Sequence, residues 1–475
     1  MFVGRERELQ QLRRLLDIKI AHMVVIKGRR RIGKSTLINE FAKPFRSYVF
    51  MGLPPDEGTT AQMQRQEFIR RFKEQFDFPA FETNDWGDLF AMLAKQCMHG
   101  RVIIIFDEIS WMAYDDPTFL GKLKSAWDLH FSQNKELILI LCGSVSSWID
   151  KMILNSTGYL GRPSLHMTIK ELPLPDCNQF WGNTNKDISY YEKFKILSLT
   201  GGVPRYLELI NKHLSAEENI RHLCFNASSP LYDEFKYIFS DIYGKRSAKY
   251  QEIITCLCKE SISREGLIDK LDLPSNGDTT EDLDSLQAGG FISKDYTWNI
   301  KTKKISKFFH YRVIDNYTRF YLKYVLPNRA KIESGIFEFN SINELPGWDT
   351  ILGLQFENLV LNNQKKIIDL IGLNSADVLV ASPYFQHQTT RSKSCQIDYM
   401  IQTKHDVVYI CEIKFRREAI SKSIISEVKE KMLRVTLPRY VSRRAVLIHV
   451  NGVTDEVLDE DFFAKIIDFS KFLEK

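Results

Sequence analysis

Gly28-Arg29-Arg30-Arg31-Ile32-Gly33-Lys34-Ser35-Thr36 carries two glycines, a lysine and a hydroxyl at the spacing G-x-x-x-x-G-K-[ST]. That spacing suits phosphate. Gly28 and Gly33 let successive backbone N–H groups curl around an anion, and a following helix N-terminus adds positive potential. Lys34 would reach the β- and γ-phosphates, and the Ser35 hydroxyl would bind Mg²⁺. The expected ligand is therefore ATP with Mg²⁺, held by the segment from Gly28 to Thr36. Farther on, Val102-Ile103-Ile104-Ile105-Phe106 runs straight into Asp107-Glu108. Two carboxylates at the end of a buried strand complete such a site: Asp107 would hold Mg²⁺ through water, and Glu108 would orient or deprotonate the attacking water. Hydrolysis of ATP is the expected reaction. Arg29, Arg30 and Arg31 read either as a solvated charge run or as a contact to nucleic acid or a partner.

Glu357, Asp398, Glu412 and Lys414 form a second set. Ile397-Asp398-Tyr399-Met400-Ile401 is an apolar strand with one carboxylate, and Val407 to Lys414 is a second strand ending in E-x-K. Residues two apart share a strand face, so Glu412 and Lys414 project together. A hairpin centred on His405 sets Asp398 directly opposite Glu412; one centred between Lys404 and His405 sets it opposite Cys411 and splits the acids between faces. Apolar patterning leaves both registers open. Only the first suits a metal, with two carboxylates holding Mg²⁺ and Lys414 positioning or polarising water.

The elements that must position these groups follow from alternation and periodicity. Strands are expected at His22–Lys27, Arg46–Met51, Arg101–Phe106, Glu136–Cys142 and Leu165–Ile169. Alternating with amphipathic helices, they predict a parallel sheet covered by helices. A helical stretch follows Leu172. From about Ser247 to Leu326 the order is helix, helix, a polar turn at Pro274–Asp278, a helix over Thr279–Gln287, then strand-like Phe291–Lys294 and Lys307–Tyr311. Helix-turn-helix plus hairpin is a winged-helix pattern. The last unit should hold a helix over Asp349–Ile371, a hairpin over Gln396–Phe415, a helix near Ile420–Val435 and a strand at Arg444–Val450.

Bulk properties set limits. The 475 residues exceed what one core organises. With 65 basic and 60 acidic residues, the net charge of +5 permits nucleic-acid binding without arguing for it. No run has the length of a membrane helix. Eight cysteines lack paired zinc spacings and read as buried thiols of a reducing, cytoplasmic compartment.

With those motifs in view, the chain resembles the AAA+ superfamily, and more narrowly the archaeal-type ATPases related to the STAND and origin-recognition groups. Phe2-Val3-Gly4-Arg5-Glu6-x-Glu8-Leu9 resembles their N-terminal box, implied to lie against the adenine. By the same resemblance Ser144, ending the strand Leu141-Cys142-Gly143, is the polar sensor. Arg162 in Gly158-Tyr159-Leu160-Gly161-Arg162 is the arginine finger, implied to act on a neighbouring subunit of a homo-oligomer. In Thr200-Gly201-Gly202-Val203-Pro204-Arg205 the start of a lid helix is implied, where Pro204 touches the base and Arg205 is a second sensor. Plain alternatives stand beside these roles, a helix cap for Ser144 and a surface ion pair for Arg162.

The C-terminal set resembles the PD-(D/E)XK nucleases, in particular the domain often fused to archaeal-type ATPases. That resemblance implies metal ligation by Asp398 and Glu412, with Glu357 the additional acid and DNA the substrate. Pro383-Tyr384 lies upstream, but no P-D dipeptide precedes Asp398. The expected architecture is thus α/β: a P-loop parallel sheet over 1–170, a helical lid over 171–243, a winged helix over 244–330 and a restriction-endonuclease-like α/β domain over 331–475. The helix Thr279–Gln287 carries three acids and no base, which favours a packing role over groove reading. The basic stretch from Lys294 to Lys307 on the wing reads equally as a phosphate contact or a solvated hairpin. The whole reads as an ATPase coupled to a metal-dependent DNA nuclease-like domain, or else as a nucleotide-gated scaffold that binds DNA or protein without cleavage.

Overall fold

The structure, a computed structural model, describes residues 2–474 except 80, 244, 245, 387 and 389–392. The expected boundary at 243–244 therefore touches residues outside the described set. Strands β1 (His22–Lys27), β2 (Arg46–Met51), β3 (Val102–Asp107), β4 (Leu137–Gly143) and β5 (Pro163–Thr168) form one sheet in the order β2-β3-β4-β1-β5, every pairing parallel. Continuous apolar runs make β3 and β4 buried along their whole length, because helices cover both faces. In β1, Met23 and Val25 enter one core layer, while Val24 and Ile26 enter the other.

Helix α1 (Lys34–Ala42) starts directly from the glycine-rich loop. Helix α2 (Tyr190–Thr200) lies in the helical segment that follows the sheet; Ser189 caps it by accepting from Glu192 N. Helices α3 (Ser247–Lys259), α4 (Arg264–Leu271) and α5 (Gly277–Ala288) then lead into a two-stranded antiparallel hairpin, β6 (Ile292–Asn299) and β7 (Lys304–Val313). The hairpin is longer than expected because Trp298, far along β6, is buried and donates to Gln402 in the last unit.

A short helix α6 (Asn316–Phe320) leads on to α7 (Trp348–Leu361) and α8 (Gln364–Ile371). The sequence suggests one helix here. It breaks at Asn362-Asn363, where the Asn363 amide donates to the Leu359 carbonyl and terminates the first helix. A second five-stranded sheet follows, in the order β12-β11-β10-β9-β8, from β8 (Val378–Gln386), β9 (Cys395–Thr403), β10 (Val407–Ile413), β11 (Ser442–His449) and β12 (Lys465–Asp468). The β8–β9 and β9–β10 pairs are antiparallel; β10–β11 and β11–β12 are parallel. Helix α9 (Ser423–Arg434) packs over this sheet through Ile424, Ile425 and Val428.

The units share cores. One apolar cluster runs from Val24 and Ile26 through Tyr206 and Phe291 to Trp348 and Leu352. Another joins Phe194 and Leu197 of α2 to Phe356 of α7 and to Tyr399, Cys411 and Val446 of the second sheet. The expected boundary at 330–331 falls within the short helix Arg329–Glu333. All eight cysteines are free thiols, six of them buried. Among the described residues no helix is long and apolar enough to cross a membrane.

Candidate functional site

The loop between β1 and α1 has the shape its glycines permit. Gly28 and Gly33 adopt φ of 150° and 87°. A Cβ on Gly28 would collide with the Ile169 carbonyl, so no other residue fits there. The Lys34 ammonium donates to the carbonyls of Gly28 at 2.9 Å and Arg29 at 3.0 Å, inside the ring of the loop. Ser35 Oγ donates to Asp107 Oδ2 at 2.8 Å. The sheet thus brings the hydroxyl and the carboxylate from two separate motifs into contact, as a shared Mg²⁺ ion requires. Hard oxygen donors of this kind suit that ion.

Glu108 sits just past β3 with a left-handed φ of 50°, an unusual conformation for a side-chain-bearing residue. Its carboxylate is fixed from β4: Oε2 accepts both the backbone N–H and the hydroxyl of Ser144 at 2.9 Å. Ser144 therefore contacts the candidate base itself. Pro204 lies against the loop, since a Cβ on Gly33 would meet its ring at 3.6 Å. Thr36 and Phe2 line a cleft of about 450 Å³ with Asn39 and Glu208.

Arg29 and Arg31 are not a solvated charge run. Arg29 is buried and ion-paired to Asp315. Arg31 makes a two-pronged contact to Glu234 at 2.9 and 3.2 Å, and its pKa is raised by that hydrogen bond. Beside it, Arg30 is half-buried, and burial followed by the Arg31 charge lowers its pKa. Arg162 clasps Asp128 through Nε at 2.8 Å and Nη2 at 2.7 Å, the surface ion pair among its two readings. Arg205, exposed, pairs with Glu208 at 3.1 Å. Arg5, read as part of the box against the adenine, is buried and donates to the Ile32 carbonyl at 3.1 Å and the Lys170 carbonyl at 2.6 Å, so the N-terminal segment braces the loop. A single arginine just after Gly4 was its signal.

The second set converges. Pairs Tyr409–Ile401, Ile410–Met400 and Cys411–Tyr399 fix the hairpin register centred on His405. Continuing that register sets Asp398 opposite Glu412, on the same face. The Ile413 N–H donates to Asp398 Oδ2 at 3.1 Å. Lys414 reaches Glu412 Oε1 at 3.0 Å and Glu427 at 3.1 Å. The other Glu412 oxygen accepts from Lys431 of α9 at 2.6 Å, and that ammonium lies 3.7 Å from Asp398. Lys431 is the group that motif reading missed. It continues the stripe Ile424, Val428 at the next core-facing position, where an apolar residue would be ordinary.

These acids are electrostatically strained. Burial, then the Glu412 charge, pushes Asp398 up to about 6. Burial, then the Asp398 charge, pushes Glu357 up to about 7. Together with Lys414, Arg416, Arg417, Tyr191 and Lys431 they line a cleft of about 580 Å³. Tyr191 of α2 stacks on Phe415 at 4.9 Å, closing one side of it. Among the described residues no three His, Cys, Asp or Glu side chains are gathered closely enough to hold a metal by themselves. Mg²⁺ needs less, binding commonly through one or two carboxylates with water and substrate phosphate. The opposed Asp398 and Glu412 fit that requirement.

The would-be reading helix α5 buries one acid and pairs two others with lysines at its surface. Asp282 is buried against Tyr250 and Lys249, at 2.8 and 2.6 Å. Glu281 pairs with Lys151 of the first unit at 2.7 Å. On the β6–β7 hairpin, Lys294 pairs with Asp284 at 2.6 Å and Lys303 with Asp406 at 2.9 Å.

Known proteins resemble parts of this chain. An uncharacterised protein of Methanocaldococcus jannaschii is 25% identical over 403 residues, covering 79% of this chain and 85% of its own. A Walker-type ATPase of Pyrococcus abyssi superposes with a TM-score of 0.47 at 15% identity, over 68% of this chain and 96% of that one. The ORC2 protein of Aeropyrum pernix does so with a TM-score of 0.43 at 13% identity, over 70% and 95%. Residues 2–210 match the family described as an ATPase domain predominantly from Archaea. That segment, which holds the glycine-rich loop and the Asp107-Glu108 pair, is an ATPase domain of the archaeal type.

Proposed function

We propose that the chain is an AAA+-type ATPase whose nucleotide cycle is coupled to a metal-dependent DNA nuclease-like domain. The observation that carries the second half is the register setting Asp398 against Glu412 at the floor of a cleft with Lys414, Arg416 and Arg417. In the ATP site, Lys34 exchanges its loop carbonyls for the β- and γ-phosphates. Ser35 and Asp107 would hold Mg²⁺, which would screen phosphate charge. Glu108, steadied by Ser144, accepts a proton from the attacking water, and the γ-phosphoryl leaves ADP. In the cleft, Asp398 and Glu412 would hold a divalent ion, with Glu357 beside them, which would supply Lewis acidity to a phosphodiester. Lys414 orients water or a phosphate oxygen, and Arg416 and Arg417 attract the nucleic-acid backbone. Residues 244–330 read as a winged helix used for packing. Arg162 is proposed to act on ATP of a neighbouring copy, so mixing Arg162→Ala with Lys34→Ala protein should partly restore turnover; no restoration removes that role.

The deciding assay is cleavage of DNA with Mn²⁺ or Mg²⁺, expected for the wild type and absent in Asp398→Ala. A second reading, a nucleotide-gated scaffold, is favoured by one observation: both Glu412 oxygens are already claimed by lysines. DNA binding without cleavage in the presence of either metal would establish it.

A further inference from the structure

A buried arginine inside a phosphate-binding loop is unusual, because the loop works through backbone N–H groups and a lysine. Arg29 is 7% exposed and lies at the meeting point of three segments. It pairs with Asp315, which follows the β6–β7 hairpin, and its guanidinium carbon lies 5.8 Å from the Phe291 ring at the hairpin's start. It also approaches Glu171 at 3.7 Å, and Glu171 accepts the Gly202 N–H at 3.1 Å, just before Pro204. Burial, the largest influence, would lower its pKa; Asp315, Tyr206 and Glu171 together outweigh it and raise the pKa. Its own backbone carbonyl meanwhile accepts from Lys34.

Asp315 has a second task. Its Oδ1 caps α6 by accepting the Thr318 N–H at 2.6 Å. The neighbouring Asn316 is tied to α7: Gln355 donates to its carbonyl at 2.6 Å, and Asn358 to its side chain at 2.9 Å. Gln355 and Asn358 flank Glu357. An unbroken chain of polar contacts therefore runs from the phosphate loop to the helix that lines the second cleft.

We propose that Asp315 is a positioning residue for the ATP site, holding the phosphate loop through Arg29, and that the same residue links nucleotide binding to α7. When Lys34 leaves the Gly28 and Arg29 carbonyls for a phosphate, the loop loses two internal hydrogen bonds. The Arg29–Asp315 pair, beside the Arg5 and Arg31 contacts, then helps keep its shape. A change in the loop is transmitted through Asp315 to α6, and through Asn316 to Gln355 and Asn358. The proposal rests on the ATPase reading alone and stands whether or not the second cleft cuts DNA.

The test uses the full chain, with mant-ATP and Mg²⁺ for equilibrium binding and hydrogen exchange over residues 348–361. Asp315→Asn keeps a helix-capping oxygen and removes the charge. Its Kd for mant-ATP should rise about tenfold, within the usual range of coupling between sites. At saturating nucleotide, the exchange change seen over 348–361 in the wild type should be lost. A variant that melts earlier but binds with the wild-type Kd would reduce Asp315 to a structural role and overturn the proposal. So would a wild type whose exchange over 348–361 ignores nucleotide. If Asp315→Asn does not fold, Arg29→Met combined with Asp315→Leu removes both charges of the pair, and Glu171, part-exposed, keeps its contact to the Gly202 N–H. Weakened nucleotide binding in that folded double variant supports the proposal, and unweakened binding overturns it.

Discussion

The two acidic sites of this molecule are built in opposite ways. Around ATP, each group has a partner close by in the sheet: Ser35 meets Asp107, Glu108 meets Ser144, and Lys34 rests on its own loop. In the C-terminal cleft, carboxylates face one another and are held together by lysines from the strand end and from α9. The first arrangement is settled before any ligand arrives. The second is a concentration of negative charge that gains from a cation. A preorganised site loses turnover when one member is removed, whereas a strained one changes its appetite for cations.

Four substitutions or conditions sharpen that contrast. The largest effect is expected for Glu108→Gln, which should keep ATP binding while turnover falls about a hundredfold to ten-thousandfold, the usual range for a general base. Steady-state hydrolysis beside nucleotide binding checks it, and unchanged turnover would remove Glu108 from its role. Lys34→Ala should weaken ATP binding about a hundredfold, matching one lost charge-assisted contact of about 3 kcal/mol.

In the cleft the sign reverses. Lys431→Met should tighten Mn²⁺ binding roughly tenfold by calorimetry, since about 1.4 kcal/mol of competition by the resident ammonium disappears. Weaker or unchanged binding would mean that Lys431 does not compete for the cation position.

The smallest effect is on thermal stability without metal. Asp398 and Glu357 have folded-state values raised above those of a free chain, to about 6 and about 7. Folding therefore takes up protons. Their contribution is full below the ordinary carboxylate range, is lost as pH rises toward about 7, and changes no further above it. Lys431, Lys414, Arg312 and Arg319 face these acids and moderate the effect. In EDTA, Asp398→Asn should melt about 2 °C above the wild type at pH 8; the gap should roughly halve by pH 5 and close only below about pH 4. A gap independent of pH would remove Asp398 from that linkage.

The contrast also explains what was legible. The ATP site is written in contiguous motifs, each placed by one strand end, so Gly28 to Thr36 and Asp107-Glu108 could be read directly. The cleft depends on a hairpin register that one residue of loop could shift, and apolar alternation allowed both forms. Lys431 and Asp315 left only faint marks, a charged residue in an apolar stripe and another after Val313-Ile314. Their partners lie on other elements, and no local spacing encodes that. The break at Asn362-Asn363 was likewise hidden, because periodicity continues on both sides of it.

The core that α2 shares with the second sheet has a consequence for protein engineering. Phe194 and Leu197 are completed by Phe356, Tyr399 and Val446, so neither side has a finished surface of its own. A chimera that grafts residues 331–475 onto a related ATPase would inherit half of that packing and expose the other half. Such a graft should come out of expression as aggregate unless the apolar residues of Tyr190–Thr200 travel with it. Transplantation therefore has to follow the grain of the core, with the donor's α2 counted as part of the C-terminal piece.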